Sequence, residues 1–417
     1  MGYVVGIDGC GFEMTDYDVI VVGAGPAGST TARRAAQAGL SVLLLDKESF
    51  PRNKPCAGGI RFKVSELLDF DLSPVYQRKI SGIAVFSPSG LRADCISEDR
   101  SMPGMTVMRD EFDDFLLKKA IEAGATCMDS SEAIDIHETS TEVAVTTLDG
   151  EVHTADYVVG ADGINSSVAK QLKFYSGWKK DSASVALEAE VEVGEEKVRE
   201  ICGEPSGYDA ELLLLYFGEF THGYTWCFPK KTVLSVGACC RQDKVKNLRA
   251  GFMNWFIRFQ KDSQFEGKVI SEGAARFPVK TAETLVKRRA LLVGDAAGLV
   301  DAFTGEGIPE AIQSGILAAK ALQVAVEKSN PMALWEYEQD CQKAILSELK
   351  VSQSTAKLFY RSFKNMETLC KLFREDDYAG QLIAKSIGGH LPQGVVKRKL
   401  TLHMMRARPR EALSLYL

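Results

Sequence analysis

At 417 residues the chain is long enough for two or three domains around a large core. It is 45% hydrophobic and 25% charged with a net charge of −6, an ordinary globular composition whose acidic balance argues against nucleic-acid binding. No apolar run approaches the roughly 18 residues of a membrane span, and the ten cysteines contain no C-x-x-C pair, so no zinc site, iron–sulfur cluster or disulfide framework is expected.

Residues 1–13 lack the basic start and long apolar segment of a secretory signal and read as an N-terminal extension, with a reducing cytoplasmic compartment expected. Asp18 to Val22 is a short, β-branched apolar run, the pattern of a buried parallel strand. Gly23, Gly25 and Gly28 follow in G-x-G-x-x-G spacing, opening a small-residue helix over 27–38 that stops at Gly39. The glycines serve a tight turn, close approach of a pyrophosphate to the backbone, and close packing of the helix on the strand. The helix aims its free N–H groups and positive end at the phosphates. Ser41 to Leu45 is a second strand ending at Asp46, 18 residues after Gly28, where a carboxylate accepts from ribose hydroxyls. Strand, glycine turn, helix, strand and acid together form a dinucleotide-binding fingerprint.

Residues 50–60, with two prolines and the Ala57–Gly58–Gly59 run, form a shaped loop around Cys56. Arg109 precedes a helix for which Asp110 is the expected N-cap, with Asp113 and Asp114 in its first turn; Phe112, Phe115, Leu116 and Ala120 share one face and Gly124 ends it. Arg109 can turn back toward a bound cofactor. Strands are expected at 133–136, 142–147, 151–153 and 157–160, the last leading into Ala161-Asp162-Gly163. From about Trp178 to Arg276 alternating strands dominate, at 184–193, 211–217, 223–228 and 233–238, which reads as an inserted antiparallel sheet joined by 79–94. A strand at 289–293 then leads into Gly294-Asp295, and a helix opens at Pro309 after Thr304-Gly-Glu-Gly-Ile308. Asn330-Pro331 opens a further helix with the stripe Leu334, Tyr337, Cys341, Ile345 and Leu349.

The expected fold is therefore α/β: a discontinuous Rossmann-like nucleotide-binding domain (14–78, 100–175 and 284–330), an inserted antiparallel β-sheet domain for substrate (79–99 and 176–283), and a C-terminal helical region (331–417). Gly23-Ala-Gly-Pro-Ala-Gly28, Arg109, Ala161-Asp162-Gly163 and Gly294-Asp295 resemble the FAD-binding fold of class A flavoprotein monooxygenases and their relatives. Lys54-Pro-Cys-Ala-Gly-Gly59 and Tyr224-Thr-Trp-Cys-Phe-Pro229 narrow the resemblance to the geranylgeranyl reductase family, over roughly residues 17 to 330. Two positions depart from its pattern: Cys239 stands where a second glycine often follows Gly237, and Glu306 stands where some archaeal lipid reductases carry a third glycine.

The resemblance implies FAD as cofactor. Gly23, Gly25, Ala27 and Gly28 would serve its pyrophosphate and Asp46 its ribose. Cys56, Ala57 and Gly59 would border the flavin, Arg109 and the backbone near Ala133 would hold the adenosine–phosphate half, Asp295 would contact the middle of the cofactor, and Gly307 and Ile308 would flank the isoalloxazine. It also implies saturation of isoprenoid double bonds in a prenyl lipid or prenyl diphosphate, with a ferredoxin or NAD(P)H as electron donor. The alternative is oxygenation or halogenation on the same scaffold; halogenases carry W-x-W-x-I-P, whose first and third specified positions are here Tyr224 and Phe228. An isolated alkene has no carbonyl to carry charge, so its reduction is expected to add a proton first or concertedly, leaving cation character at the branched carbon for hydride to quench. Tyr224, Trp226 and Phe228 alternate on one face of a strand and supply apolar lining and π faces for that cation. Tyr224 and Trp226 are thus expected catalytic residues, as is Cys56, whose thiol at the flavin is expected to gate the substrate or relay a proton, with Tyr224, Trp226 and Phe228 also binding substrate. The basic residues from Lys397 to Arg410 are an expected contact with anionic head groups at the inner membrane face.

Overall fold

The computed structural model describes residues 15–98 and 104–416; the expected extension at 1–13 lies outside the described residues. The strand Tyr17–Val22 lies between Val42–Leu45 and Val152–Gly160, and the sheet extends to Thr126–Met128 and Ala290–Leu292, every one of these pairings parallel. Val19 to Val21, Leu43 to Leu45, Val158, Val159, Leu291 and Leu292 are fully buried, as expected of strands covered on both faces. They share one core with alanines of the helices Pro26–Gln37 and Ile308–Glu327 and with Leu117 and Ala120 of Arg109–Glu122. The two strands expected at 151–153 and 157–160 are one, Val152–Gly160. Its first half pairs antiparallel with Val143–Thr147 and its second half parallel with Tyr17–Val22, so the polar residues between the two apolar stretches mark a change of partner rather than a break.

Helix 109–122 begins at Arg109 with Met108 in the cap position. Asp110, expected to cap it, sits inside the first turn, and Asp113 is fully buried because it serves Arg109. The helix after the Gly-Glu-Gly turn opens at Ile308, one residue before Pro309.

The second sheet runs Lys268–Pro278, Ala183–Glu192, Val233–Arg241, Gly223–Pro229, Glu211–Tyr216, Tyr76–Phe86, Gly104–Val107 and Gly59–Arg61, with Arg92–Ile96 also paired to Tyr76–Phe86. Its pairings are antiparallel except that of Glu211–Tyr216 with Tyr76–Phe86. Gly59–Arg61 and Gly104–Val107 come from stretches grouped in sequence with the nucleotide-binding segments; three and four residues long, they carry no alternation by which to recognise them. One face of this sheet is covered by the helix Leu248–Asp262, whose Phe252, Trp255, Phe256 and Phe259 join its core. This helix and Glu195–Cys202 break the expected all-strand character of the region.

Asn330 accepts a hydrogen bond from Met332 N at 3.0 Å and caps the turn at Pro331. Helical backbone continues through Trp335–Cys341, a π turn and Ser347–Phe359, and the stripe from Leu334 to Leu349 is buried. Four further helices, Phe363–Glu375, Asp377–Ile387, Gln393–Ala407 and Pro409–Tyr416, pack toward the second sheet, where Ile83, Val85 and Cys95 meet Cys370 and Ala384.

Candidate active site

A cavity of about 880 Å³ runs from the glycine turn, past the 52–61 loop and the aromatic strand, to the C-terminal helices. Gly23, Gly25, Ala27, Asp46, Cys56, Ala57, Gly59, Arg109, Ala133, Asp295, Gly307, Ile308, Tyr224, Trp226 and Phe228 all line it. Gly28 does not. It lies under the turn, where a Cβ would collide with Gly23 O, so its bare Cα sets the close approach of helix to strand.

At the nucleotide end, helix Pro26–Gln37 opens after Gly25 with no side-chain cap, leaving its first amides free. A Cβ at Gly25 would meet Arg52 Nη2 at 3.6 Å, which places that guanidinium over the turn. Arg109 grips Asp113 with two bonds of 2.9 and 2.8 Å, and Arg52 Nη2 lies 3.2 Å from the same carboxylate. Burial opposes the Arg109 charge, but Asp113 and the neighbouring Cys56 thiol outweigh it and shift its pKa upward. Burial, helped by Arg109, shifts Lys54 downward against the pull of Asp295. Asp46 Oδ2 accepts from Ala24 N at 2.7 Å and Oδ1 from Glu48 N at 2.9 Å, and each oxygen keeps a second lone pair for a hydroxyl.

In the middle, burial raises the pKa of Asp295, while Lys54 and Arg109 pull it down. A Cβ at Gly307 would meet Asp295 Oδ1 at 3.4 Å, so this carboxyl stands at the uncapped start of Ile308–Glu327. Asp162 holds Ser167 N and Oγ on Oδ2, at 2.6 and 2.8 Å, and its buried Oδ1 has no partner among the described residues. Cys56 is half-buried on the wall beside Arg109.

Tyr224, Trp226 and Phe228 present their rings on one face of Gly223–Pro229, with centroids 6.0 and 6.5 Å apart. Trp226 lies across Gly237, where a Cβ would strike the indole, and Phe228 lies on Gly59. The Tyr224 hydroxyl donates to Thr304 O, and burial pushes its pKa well above 10. Cys239, paired in register with Tyr224, lines the cavity with its thiol pushed up to about 12 by burial.

Several wall residues were not anticipated. Arg52 and Lys54 sit in an aperiodic loop, and beyond the place of Lys54 at the head of the 54–59 motif their signal is basic charge just after the ribose acid. Arg61 and Glu306 meet across the cavity wall from distant stretches. Phe359, Leu369, Phe373 and Met404 bring the C-terminal helices into the site, whereas an apolar stripe alone says only that something covers it.

The uncapped amides and three cations suit a diphosphate, Asp46 and Asp162 suit hydroxyls, and the start of Ile308–Glu327 offers a positive end to a flavin edge. Fold and site together define an FAD-binding oxidoreductase. Residues 16–348 match the FAD binding domain family. The chain is 30% identical over 326 residues to digeranylgeranylglycerophospholipid reductase 3 of Methanosphaera stadtmanae, covering 76% of this chain and 79% of that protein. It is 28% identical over 383 residues to the chloroplastic geranylgeranyl diphosphate reductase of Arabidopsis thaliana, covering 86% and 77%. In fold it matches a geranylgeranyl bacteriochlorophyll reductase-like protein of Thermoplasma acidophilum, with a TM-score of 0.81 at 24% identity over 96% of this chain and 98% of that one. The chain belongs to the geranylgeranyl reductase family of FAD-binding proteins, and its cofactor is FAD.

Proposed function

We propose that this chain saturates the isoprenoid double bonds of geranylgeranyl groups, in membrane lipids of archaeal type or in related prenyl compounds. The observation that carries this is the shape of the cavity beyond Gly307: it continues between the second sheet and the C-terminal helices, walled by Leu213, Leu215, Phe217, Phe359, Leu369 and Phe373. An apolar lining of this kind suits a prenyl chain. The first sheet holds the cofactor; the second sheet and residues 331–417 hold the substrate.

FAD, when bound and reduced, supplies the hydride. Arg52, Lys54, Arg109 and the first amides of Pro26–Gln37 bind its diphosphate. Asp46 binds its ribose. Cys56, Ala57, Gly59, Asp295, Gly307 and Ile308 position the flavin half. Trp226 and Tyr224 offer π faces to the cation character that develops at the branched carbon, and Phe228 continues the wall. The electrons come from a ferredoxin or NAD(P)H.

Chemically reduced holoenzyme, mixed with a geranylgeranyl lipid without oxygen, should yield product two hydrogens heavier per bond reduced, read by mass spectrometry. An oxygenase or halogenase on this scaffold leaves the lipid unchanged under those conditions, and that result rejects the proposal.

A further inference from the structure

We propose that Glu306 is the proton donor of this reduction, kept in its acid form by a buried cluster with one guanidinium for three carboxylates. The inference rests on the prenyl-reductase reading above and assigns the proton that the reading requires.

Arg61 reaches the cluster from the edge strand Gly59–Arg61. Its Nε pairs with Glu306 Oε2, and its Nη2 lies 3.7 Å from Asp301 Oδ2. Asp301 is fully buried and saturated with donors: Oδ1 accepts from Phe303 N at 2.9 Å, Thr304 N at 3.0 Å and the Ser352 hydroxyl, and Oδ2 accepts from Gln393. Burial opposes its charge, but Arg61 and these bonds prevail and hold its pKa below the usual value. Asp301 therefore keeps its charge and shares the single guanidinium of Arg61 with Glu306 and Glu310. Glu310, in the first turn of Ile308–Glu327, adds a third carboxyl whose buried Oε2 has no partner among the described residues. Lys63, the other cation nearby, donates to Gln313 at 3.0 Å. With that one guanidinium shared, a further carboxylate in this wall is stable only with a proton on it. Burial, reinforced by Glu310 and Asp301 against Arg61, pushes Glu306 up to about 8.

Glu306 alone of these three carboxyls faces the cavity. It precedes Gly307, follows the turn that Tyr224 fixes through Thr304 O, and lines the same cavity as Tyr224, Trp226 and Phe228. The tyrosine hydroxyls nearby are committed elsewhere: Tyr224 donates to Thr304 O, and Tyr360 to Phe303 O at 2.9 Å. In the step, Glu306 gives its proton to the less substituted alkene carbon and the π pair becomes the new C–H bond. The reduced cofactor, when bound, would supply the hydride that completes the addition at the branched carbon. Glu306 is left as a carboxylate against Arg61 and regains a proton from water between turnovers.

The test uses holoenzyme reduced with dithionite and a geranylgeranyl lipid. Glu306→Gln should keep its bound FAD and its unfolding temperature while turnover falls by about 10²–10⁴, the usual worth of a general acid. Glu306→Asp should recover part of the loss. Wild-type turnover should decline as pH rises through about 8, a limb absent from Glu306→Gln. Independently of turnover, the infrared difference between wild type and Glu306→Gln at neutral pH should contain a protonated-carboxyl C=O band that vanishes on alkalinisation. Turnover of Glu306→Gln within twofold of wild type, or no such band, overturns the proton role. A wild-type enzyme that reduces no prenyl lipid overturns instead the reading beneath it.

Discussion

Trp226 shows how one residue's placement decides between packing and chemistry. Its indole is nearly buried, lies across the bare backbone of Gly237, and lines the cavity. A leucine there preserves apolar wall but removes the quadrupole that attracts a cation by about 0.5–2 kcal/mol. Trp226→Leu should therefore lower kcat by roughly twofold to thirtyfold, with KM for the prenyl lipid changed far less. Equal losses in both, or a protein that merely unfolds earlier, would return Trp226 to the sheet core. This residue was legible in the sequence because alternation along a strand fixes which side chains share a face. The glycine fingerprint and Asp46 were legible because their signal is local. Arg52, Lys54 and Glu306 meet charged partners dozens to hundreds of residues away, and no periodicity records such a meeting.

The strand Ala183–Glu192 carries the same lesson at the scale of an element. Its Ala189 and Val191 face the helix-covered core, so Glu188 and Glu190 share the opposite face, buried near the Cys56 loop. Lys230, 1% exposed, pairs with Glu190. Strand position was readable from alternation, but an acid at alternate positions reads as a solvated face until the covering loop is known. Burial and the adjacent Glu190 push Glu188 up to about 9, so the folded protein binds that proton more tightly than the unfolded chain does. Its stabilising effect is complete below the unfolded value of 4.5 and is lost as pH rises toward about 9. The unfolding temperature should fall across that window, and Glu188→Gln should make the fall shallower; an unchanged slope would show that Glu188 is ionised in the fold. Lys230→Met removes one partner of a buried pair and should cost about 3–5 kcal/mol by denaturant unfolding.

For the whole molecule, the proposed function raises the question of how an acidic protein would reach a prenyl lipid in a membrane. Among the described residues no helix is long and apolar enough to cross one. The helices Gln393–Ala407 and Pro409–Tyr416 combine two features. Lys397, Thr401, Met405 and Ala412 line the far end of the cavity, while Leu402, Met405 and Leu413 are exposed beside the exposed cations Arg398, Lys399, Arg406 and Arg410. Arg408, which in sequence belongs to the same basic run, is instead engaged by Glu375 at 3.1 Å and Glu411 at 3.8 Å, so it adds little. On the proposed reading, this basic and apolar patch at the far end of the cavity, on a chain of net charge −6, would orient that end toward an anionic surface and repel the rest of the protein from it. Each cation near such a surface contributes about 1 kcal/mol, screened by salt. Holoenzyme should therefore sediment with anionic liposomes at low salt, much less with zwitterionic ones, and progressively less as salt rises. The Arg406→Glu/Arg410→Glu pair should abolish sedimentation and raise the apparent KM for lipid in liposomes, while leaving turnover of detergent-dispersed lipid close to wild type because neither arginine lines the cavity. Binding indifferent to salt, or a double variant that still sediments, would mean that the prenyl chain reaches the cavity by another route.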